Sequence, residues 1–279
     1  MANLKSGPGK APADGGEIAY MVAGEGPVIA TTHPYGTAKA GHPGLPGFTI
    51  VTVWPRGFGA SSAARDNSDY GFWRLADDLD AVRRHLGLDR WVFWGVSMGG
   101  FTGIIYALKY QETLSAIVLD CAAPSHHYKD DPNSLYPTAR ASEEFTNLLD
   151  KPSWETLRGY FVLRSKLEGY PNPEELWEQR LVDADLNPHA YAEILRRLEE
   201  FDTRSQLGEI SIPTLVLAGE KDLQCPPSQA QIIADGIPGS VLKVYADTGH
   251  GVIRNNPPGA LEAFTEFVNS ALKETARPS

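Results

Sequence analysis

Sulfur is scarce in this sequence: there are two cysteines, Cys121 and Cys225, and three methionines among 279 residues. Two cysteines so far apart make neither a disulfide framework nor the ligand spacing of a zinc site. Positive charge is in deficit too. The 25 lysines and arginines face 35 aspartates and glutamates, for a formal net charge of −10. Such a surface repels nucleic acid and anionic membranes, so neither is an expected partner. No stretch approaches the roughly 18 apolar residues of a membrane span, and the opening segment MANLKSGPGK has no apolar signal-peptide core. Internal repeats and low-complexity runs are missing as well. These absences predict a cytoplasmic protein with free thiols. With 42% hydrophobic and 22% charged residues, the chain can bury the core of one large α/β domain.

Periodicity divides the chain. Residues 1–16, rich in Gly, Pro, Ala and Lys, read as a loose arm, and Glu17–Val22 alternates like an edge strand. Pro27–Thr32 reads as a buried strand ending at His33-Pro34-Tyr35-Gly36, and Phe48–Val53 as another, ending in the glycine loop Trp54–Ser62. Phe72, Leu75, Leu79, Val82 and Leu86 recur at steps of three and four, which predicts an amphipathic helix. The apolar run from Trp91 leads into Gly95-Val96-Ser97-Met98-Gly99, with the helix face Phe101, Ile104, Ile105, Leu108 behind it and the strand Leu114–Asp120 beyond. Residues 123–207 then carry no convincing strand. Glu143–Asp150, Trp154–Arg164 and Glu174–Asp183 look helical, and Asn187-Pro188 caps a further helix with Tyr191, Ile194, Leu195, Leu198 and Phe201 on its apolar face. The sheet pattern resumes at Ile212–Ala218, followed by helix Ser228–Asp235, strand Val241–Tyr245 and helix Gly259–Lys273. Alternating strands and helices predict an α/β fold with a mostly parallel central sheet flanked by helices. The expected division is a core of residues 1–122 and 208–279, interrupted by a helical insertion of residues 123–207 that acts as a lid.

The pattern G-x-S-x-G between a strand and a helix places a serine on a sharp turn at the carboxyl end of the strand. Side chains at Gly95 and Gly99 would collide there. A serine hydroxyl becomes a nucleophile only when a base takes its proton and an acid orients that base. Such partners belong at the carboxyl ends of strands. Asp222, in Gly219-Glu220-Lys221-Asp222, and His250, in Asp247-Thr248-Gly249-His250-Gly251, each stand just past one. Glu220 and, more seriously, Asp120 compete with Asp222, since Asp120 also ends a strand. His33, His42, His85, His126, His127 and His189 lie in loops, on helix faces or in the insertion. Two backbone N–H donors must hold the developing oxyanion. Met98 supplies one at the helix start, and Tyr35 the other, because Pro34 has no N–H.

These motifs resemble the α/β-hydrolase fold superfamily from about residue 17 to residue 273. His33-Pro34-Tyr35-Gly36 corresponds to its H-G-x oxyanion loop, Arg56-Gly57-Phe58-Gly59-Ala60-Ser61 to R-G-x-G-x-S, Gly95–Gly99 to the nucleophile elbow, Gly219–Asp222 to the acid turn and Gly249-His250 to the base. The order Ser97, Asp222, His250 is the superfamily's. The chain is most similar to prolyl-aminopeptidase-like esterases, enol-lactonases and cofactor-free haloperoxidase-type enzymes. It departs from the pattern in having His33-Pro34 for His-Gly and Trp54-Pro55 where an aspartate is common. The aminopeptidase motif H-G-G-P-G is missing, which argues against that activity, and a serine nucleophile argues against epoxide hydrolase and haloalkane dehalogenase chemistry.

The resemblance implies a serine hydrolase of a small carboxylic ester or lactone, with Ser97, Asp222 and His250 catalytic, Tyr35 and Met98 forming the oxyanion hole, and no metal or organic cofactor. Trp54, Phe58, Trp154, Tyr160, Phe161 and Trp177 are the expected substrate-binding residues; Tyr35 and Tyr106 are further candidates for an apolar acyl pocket, and Arg56 or His126 for a polar group. The superfamily's strand order also brings the sulfurs of Cys121 and Cys225 near each other. Two alternatives stay open: a lyase or cofactor-free oxygenase using the same acid–base pair, and a ligand receptor that retains the triad. Nothing in the sequence sets the oligomeric state.

Overall fold

The computed structural model describes residues 4–32, 45–181 and 185–275. Its strands are β1 (Gly7–Ala13), β2 (Gly16–Gly24), β3 (Val28–Thr32), β4 (Thr49–Val53), β5 (Trp91–Val96), β6 (Leu114–Asp120), β7 (Thr214–Gly219) and β8 (Val241–Tyr245). They form one eight-stranded sheet in the order β1-β2-β4-β3-β5-β6-β7-β8. Strand β2 is antiparallel to β1 and β4; every other pair is parallel. Strands β4, β6 and β7 are buried at every residue, as parallel strands covered on both faces must be. The architecture expected from the alternation of strands and helices is therefore the one found.

One expectation is corrected at the N-terminus. The presumed loose arm supplies the outer strand, with Gly7 opposite Val22 and Ala13 opposite Gly16. Glu17–Val22 thus belongs to the second strand, not to the edge. Pro8 and Pro12 suggested a loop, but an outer strand leaves half of its N–H groups outside any ladder, and proline is tolerated there.

The helices are α1 (Phe72–His85), α2 (Met98–Tyr110), α3 (Tyr136–Arg140), α4 (Glu143–Asp150), α5 (Trp154–Leu167), α6 (Pro173–Leu181), α7 (Pro188–Arg197), α8 (Pro227–Gly236), α9 (Val252–Asn255) and α10 (Ala260–Thr275). Alternate residues of β5 feed two cores. Trp91 and Phe93 join Leu75, Leu79 and Val82 of α1 and Phe101, Ile104 and Ile105 of α2 on one face. Val92 and Trp94 join Phe264, Val268 and Ala271 of α10 on the other. Among the described residues, no helix is long and apolar enough to cross a membrane.

Helices α3–α7 fill the connection between β6 and β7, which are themselves paired neighbours. The cap expected at Asn187 is built, its side chain accepting from the His189 and Ala190 N–H groups, and Ser153 with Thr156 closes a capping box at α5 that was not anticipated from sequence. The two ends of the connection are stitched together. The His126 N–H donates to Phe201 O at 2.7 Å, and the Thr203 N–H and hydroxyl donate to Pro124 O at 2.9 and 2.7 Å. Above this neck the Phe201 ring stacks on Phe101 of α2 at 5.0 Å, and Tyr128 packs on the same ring at 5.2 Å.

A buried ion pair fixes the loop after β4 to α1. Arg56 donates Nε–H to Asp78 Oδ2 at 2.8 Å and Nη2–H to Asp78 Oδ1 at 2.5 Å, and Nη2 also bonds Asp14 O at 3.0 Å. Their side chains are 1% and 4% exposed. Arg56, a candidate for a polar substrate group, is thereby committed to the scaffold. Breaking such a pair leaves a buried charge alone. Arg56→Met should therefore cost about 3–5 kcal/mol in denaturant-induced unfolding, whereas the double variant Arg56→Met/Asp78→Leu should lose distinctly less. Equal losses in the two would show that the charge pairing is not what matters at this position.

Candidate active site

Ser97 joins β5 to α2 with φ 54° and ψ −124°, a conformation that non-glycine residues adopt only under local compulsion. The compulsion is steric. A Cβ on Gly95 would lie 2.4 Å from Gly99 O, one on Gly99 would lie 2.3 Å from Thr32 Oγ1, and one on Gly100 would lie 2.5 Å from Ala122 Cβ. Strand and helix can meet this closely only without side chains at those positions. The Ser97 N–H is held by Asp120 O at 3.0 Å, and Ser97 O accepts from Gly100 and Phe101 N–H at 2.7 and 3.1 Å. No side-chain hydrogen bond caps α2 at this end, so the helix start presents N–H groups beside the serine. Met98 is the first helical residue and is buried. Tyr35, the other expected oxyanion donor, lies outside the described residues, as does all of His33–Gly36.

Two loops bring Asp222 and His250 together. Asp222 follows β7, and its Oδ1 accepts from the Gln224 and Cys225 N–H groups at 2.8 and 3.0 Å. Its Oδ2 bonds His250 Nδ1 at 2.8 Å, with the two side chains 0% and 10% exposed. A carboxylate so placed selects the tautomer with the proton on Nδ1, leaving Nε2 as the acceptor. Close approach of the two loops again depends on a missing side chain: a Cβ on Gly219 would lie 2.4 Å from both Thr248 O and Gly249 O. Behind the histidine, His250 O accepts from Arg254 Nη2 at 2.9 Å and Asn255 Nδ2 at 3.0 Å.

Asp120, the rival acid, has different partners. It is fully buried, and its carboxylate accepts from Val252 N–H at 2.7 Å and Ile253 N–H at 3.2 Å, capping the turn that follows His250. Burial pushes its carboxyl up, and the two N–H donors act against that. Asp120 thus anchors the histidine loop and the serine turn from below.

The cysteines are both free and buried, and both flank Asp222. Cys121, at φ 53°, accepts from the Gly251 N–H at 3.1 Å. Its thiol is pushed far up by burial and by the carboxylates of Asp222 and Asp120. The Cys225 thiol is likewise raised by burial and by Asp222, with the Arg164 charge and the Ser97 hydroxyl acting against that. By spacing alone, Cys121, Asp222 and His250 form a possible metal donor set, with ligand atoms within 4.8 Å of one another. Their lone pairs and protons are already engaged with Gly251, Gln224, Cys225 and each other, so a metal would have to displace these bonds.

The aromatic candidates separate. Trp54 and Phe58 are buried, with the Trp54 indole donating to Asp185 Oδ2 at 3.2 Å. Tyr106 belongs to the core, its hydroxyl 3.0 Å from Thr113 Oγ1. Trp154 is 47% exposed. It occupies the first position of α5 with its side chain largely in solvent. Tyr160, Phe161 and Trp177 are buried within the insertion, where Phe161 stacks on Trp177 at 4.3 Å and the Trp177 indole donates to Ser165 Oγ at 2.8 Å. Tyr160 also lines a cavity of about 220 Å³ with Tyr128 and Tyr136. His126 bonds Glu199 through Nδ1 at 2.8 Å, within the insertion. One partly buried charge, Arg164, escaped the sequence reading. Arg164 did leave a signal, being a charge on the buried face of α5 in the series Leu157, Tyr160, Phe161, Arg164.

Comparison with known proteins gives consistent results. A profile of the family described as alpha/beta hydrolase fold matches residues 35–257. A proline iminopeptidase of Saccharolobus solfataricus is 26% identical over 239 residues, 80% of this chain and 76% of its own. The 3-oxoadipate enol-lactonase 2 of Acinetobacter baylyi is 28% identical over 230 residues, 81% of this chain and 79% of its own. Among solved structures, an alpha/beta fold family hydrolase from Bacillus anthracis is similar in fold, with a TM-score of 0.76 at 24% identity over 95% of this chain and 98% of that one.

The thiols give a direct test of the buried arrangement. A buried thiol held protonated reacts slowly. Neither sulfur should react within minutes in folded protein, and both should titrate when the unreduced protein is denatured. A denatured count of zero would show that the pair oxidises to a disulfide.

Proposed function

The chain belongs to the alpha/beta hydrolase fold family, and on that premise we propose that it is a serine hydrolase of small carboxylic esters or lactones. The observation that carries the reading is the 2.8 Å bond between Asp222 Oδ2 and His250 Nδ1, in a chain that also holds Ser97 on a strained turn at a helix start. In the proposed reaction, His250 Nε2 takes the Ser97 proton as Oγ attacks the carbonyl carbon. The Met98 N–H, with the Tyr35 N–H expected from the resemblance, holds the oxyanion. The His250 proton then passes to the departing alkoxide, leaving an acyl-serine, and water attacks that ester with His250 again as base. Asp222 holds the imidazole in register throughout.

The ester or lactone substrate is favoured by the missing H-G-G-P-G motif and by the enol-lactonase relative. The iminopeptidase relative supports an amide alternative. The insertion of residues 123–207 acts in this proposal as the lid. Its Tyr128 and Phe201 pack on Phe101, one turn beyond Ser97, and with Trp54 and Phe58 its buried rings supply the apolar part of the substrate site.

Ser97→Ala should abolish labelling by a fluorophosphonate and lower kcat on p-nitrophenyl esters by roughly a million-fold, because triad members act as a unit. More than a few per cent residual turnover would refute the serine mechanism. Faster cleavage of prolyl p-nitroanilide than of any ester or lactone in the panel would move the assignment to a peptidase.

The two buried aspartates should separate by readout. Asp222→Asn should lower kcat by roughly four orders of magnitude by favouring the wrong tautomer. Asp120→Asn should instead cost about 1–3 kcal/mol of stability, since one amide N–H faces a backbone donor, with a far smaller change in kcat. The reverse ranking at equal folded protein would transfer the acid's role to Asp120.

A further inference from the structure

Arg164, partly buried, stands apart from the buried cations. Arg56 is answered by Asp78, and Lys129 by Glu199. The Arg164 guanidinium meets only neutral groups: Nη1 donates to the Tyr191 hydroxyl at 3.2 Å and Nη2 to Gln224 Oε1. It lies over the rings of Tyr136, Tyr160 and Phe161 at 5.4, 5.7 and 5.9 Å. Its Nε is buried with no hydrogen-bond partner, and so is the Tyr160 hydroxyl one helical turn earlier. The acid whose charge it feels, Glu168, is engaged by Gln224 Nε2 at 2.8 Å. Among the described residues, no carboxylate forms a salt bridge with Arg164. Nor do the tyrosines supply an anion, because burial raises the hydroxyls of Tyr128, Tyr136 and Tyr191. A partly buried cation without a salt-bridge partner carries a desolvation cost, which an anion paired with the guanidinium would relieve.

This cation is tied to the proposed catalytic cluster. Gln224, its hydrogen-bond acceptor, and Cys225 both donate their backbone N–H groups to Asp222 Oδ1. The Arg164 charge and the Ser97 hydroxyl both act to lower the Cys225 thiol, against burial and Asp222.

We propose that Arg164 recognises an anionic substrate: an ester or lactone that carries a second, ionised carboxylate, held by the guanidinium while Ser97 attacks the scissile carbonyl. The proposal rests on the serine-hydrolase reading and narrows its substrate class. Arg164 acts here by binding and orienting and takes no part in proton transfer.

The test compares mono-p-nitrophenyl glutarate with p-nitrophenyl pentanoate, which matches it in length but is neutral. Wild-type protein should favour the glutarate ester in kcat/KM. Arg164→Gln should collapse the ratio between the two by roughly 10–100-fold, as expected when a charged, forked contact is lost. Arg164→Lys, which keeps the charge without the fork, should fall between. A purely structural arginine would lower both rates together and leave the ratio intact, and that result overturns the proposal; so does a wild-type preference for the neutral ester. Calorimetric titration of the wild-type protein with glutarate reads the anion site without turnover. Binding that disappears in Arg164→Gln supports the site even if fluorophosphonate labelling fails and the hydrolase reading falls, whereas no binding to wild-type protein, with esters still cleaved, rejects the anion site alone.

Discussion

The close approach of β5 to α2 is the constraint on which the rest of the site depends. Four glycines mark where backbone meets backbone or side chain at distances no Cβ tolerates: Gly95, Gly99 and Gly100 around Ser97, and Gly219 where the Asp222 loop meets the His250 loop. Because strand and helix touch, the residue between them is forced to φ 54°, and its side chain projects from the sheet instead of packing into it. The same contact aims the start of α2 at the serine. Because the loops after β7 and β8 touch, Asp222 and His250 come within hydrogen-bond reach although 28 residues separate them.

Buried charge is treated in distinct ways across the molecule. Arg56 and Asp78 neutralise each other in the scaffold. Asp120 and Asp222 are satisfied by backbone N–H groups, which fixes the loops that supply those donors. One carboxylate anchors the histidine loop; the other faces the imidazole itself. Arg164 is given polar neighbours and aromatic faces but no opposite charge. The proposed anionic substrate would supply the opposite charge that Arg164 lacks.

The insertion shows how packing links these parts. Its neck is closed by hydrogen bonds between residues 124–126 and 201–203, and its rings lean on Phe101, which continues the helix that starts at the serine. Helix α5 runs through the insertion with Tyr160 and Phe161 among the fully buried side chains, and Arg164, one turn further along, is partly buried beside them. The aromatic wall and the cation it surrounds belong to one packing unit.

Much of this was legible in the chain itself. Alternation and threefold or fourfold spacing determined the strands, the helices and the α/β class, because burial on one or both faces writes itself into local pattern. The positions of Ser97, Asp222 and His250 were readable because each follows an apolar strand directly. The first strand was not readable, since Pro8 and Pro12 resemble a loop unless the residue's place at the outer edge is known. The choice between Asp120 and Asp222 was also closed to the sequence. Both end strands, and only the folded loops show which carboxylate meets an imidazole and which meets amides. Aromatic residues could not be divided into wall and surface by type, as Trp154 and Phe161 illustrate. Above all, Arg56 and Arg164 are both arginines near expected site elements. Sequence determines that each carries a charge; only the tertiary structure decides that one finds Asp78 and the other finds no carboxylate, because charge compensation is set by contacts between segments far apart in the chain.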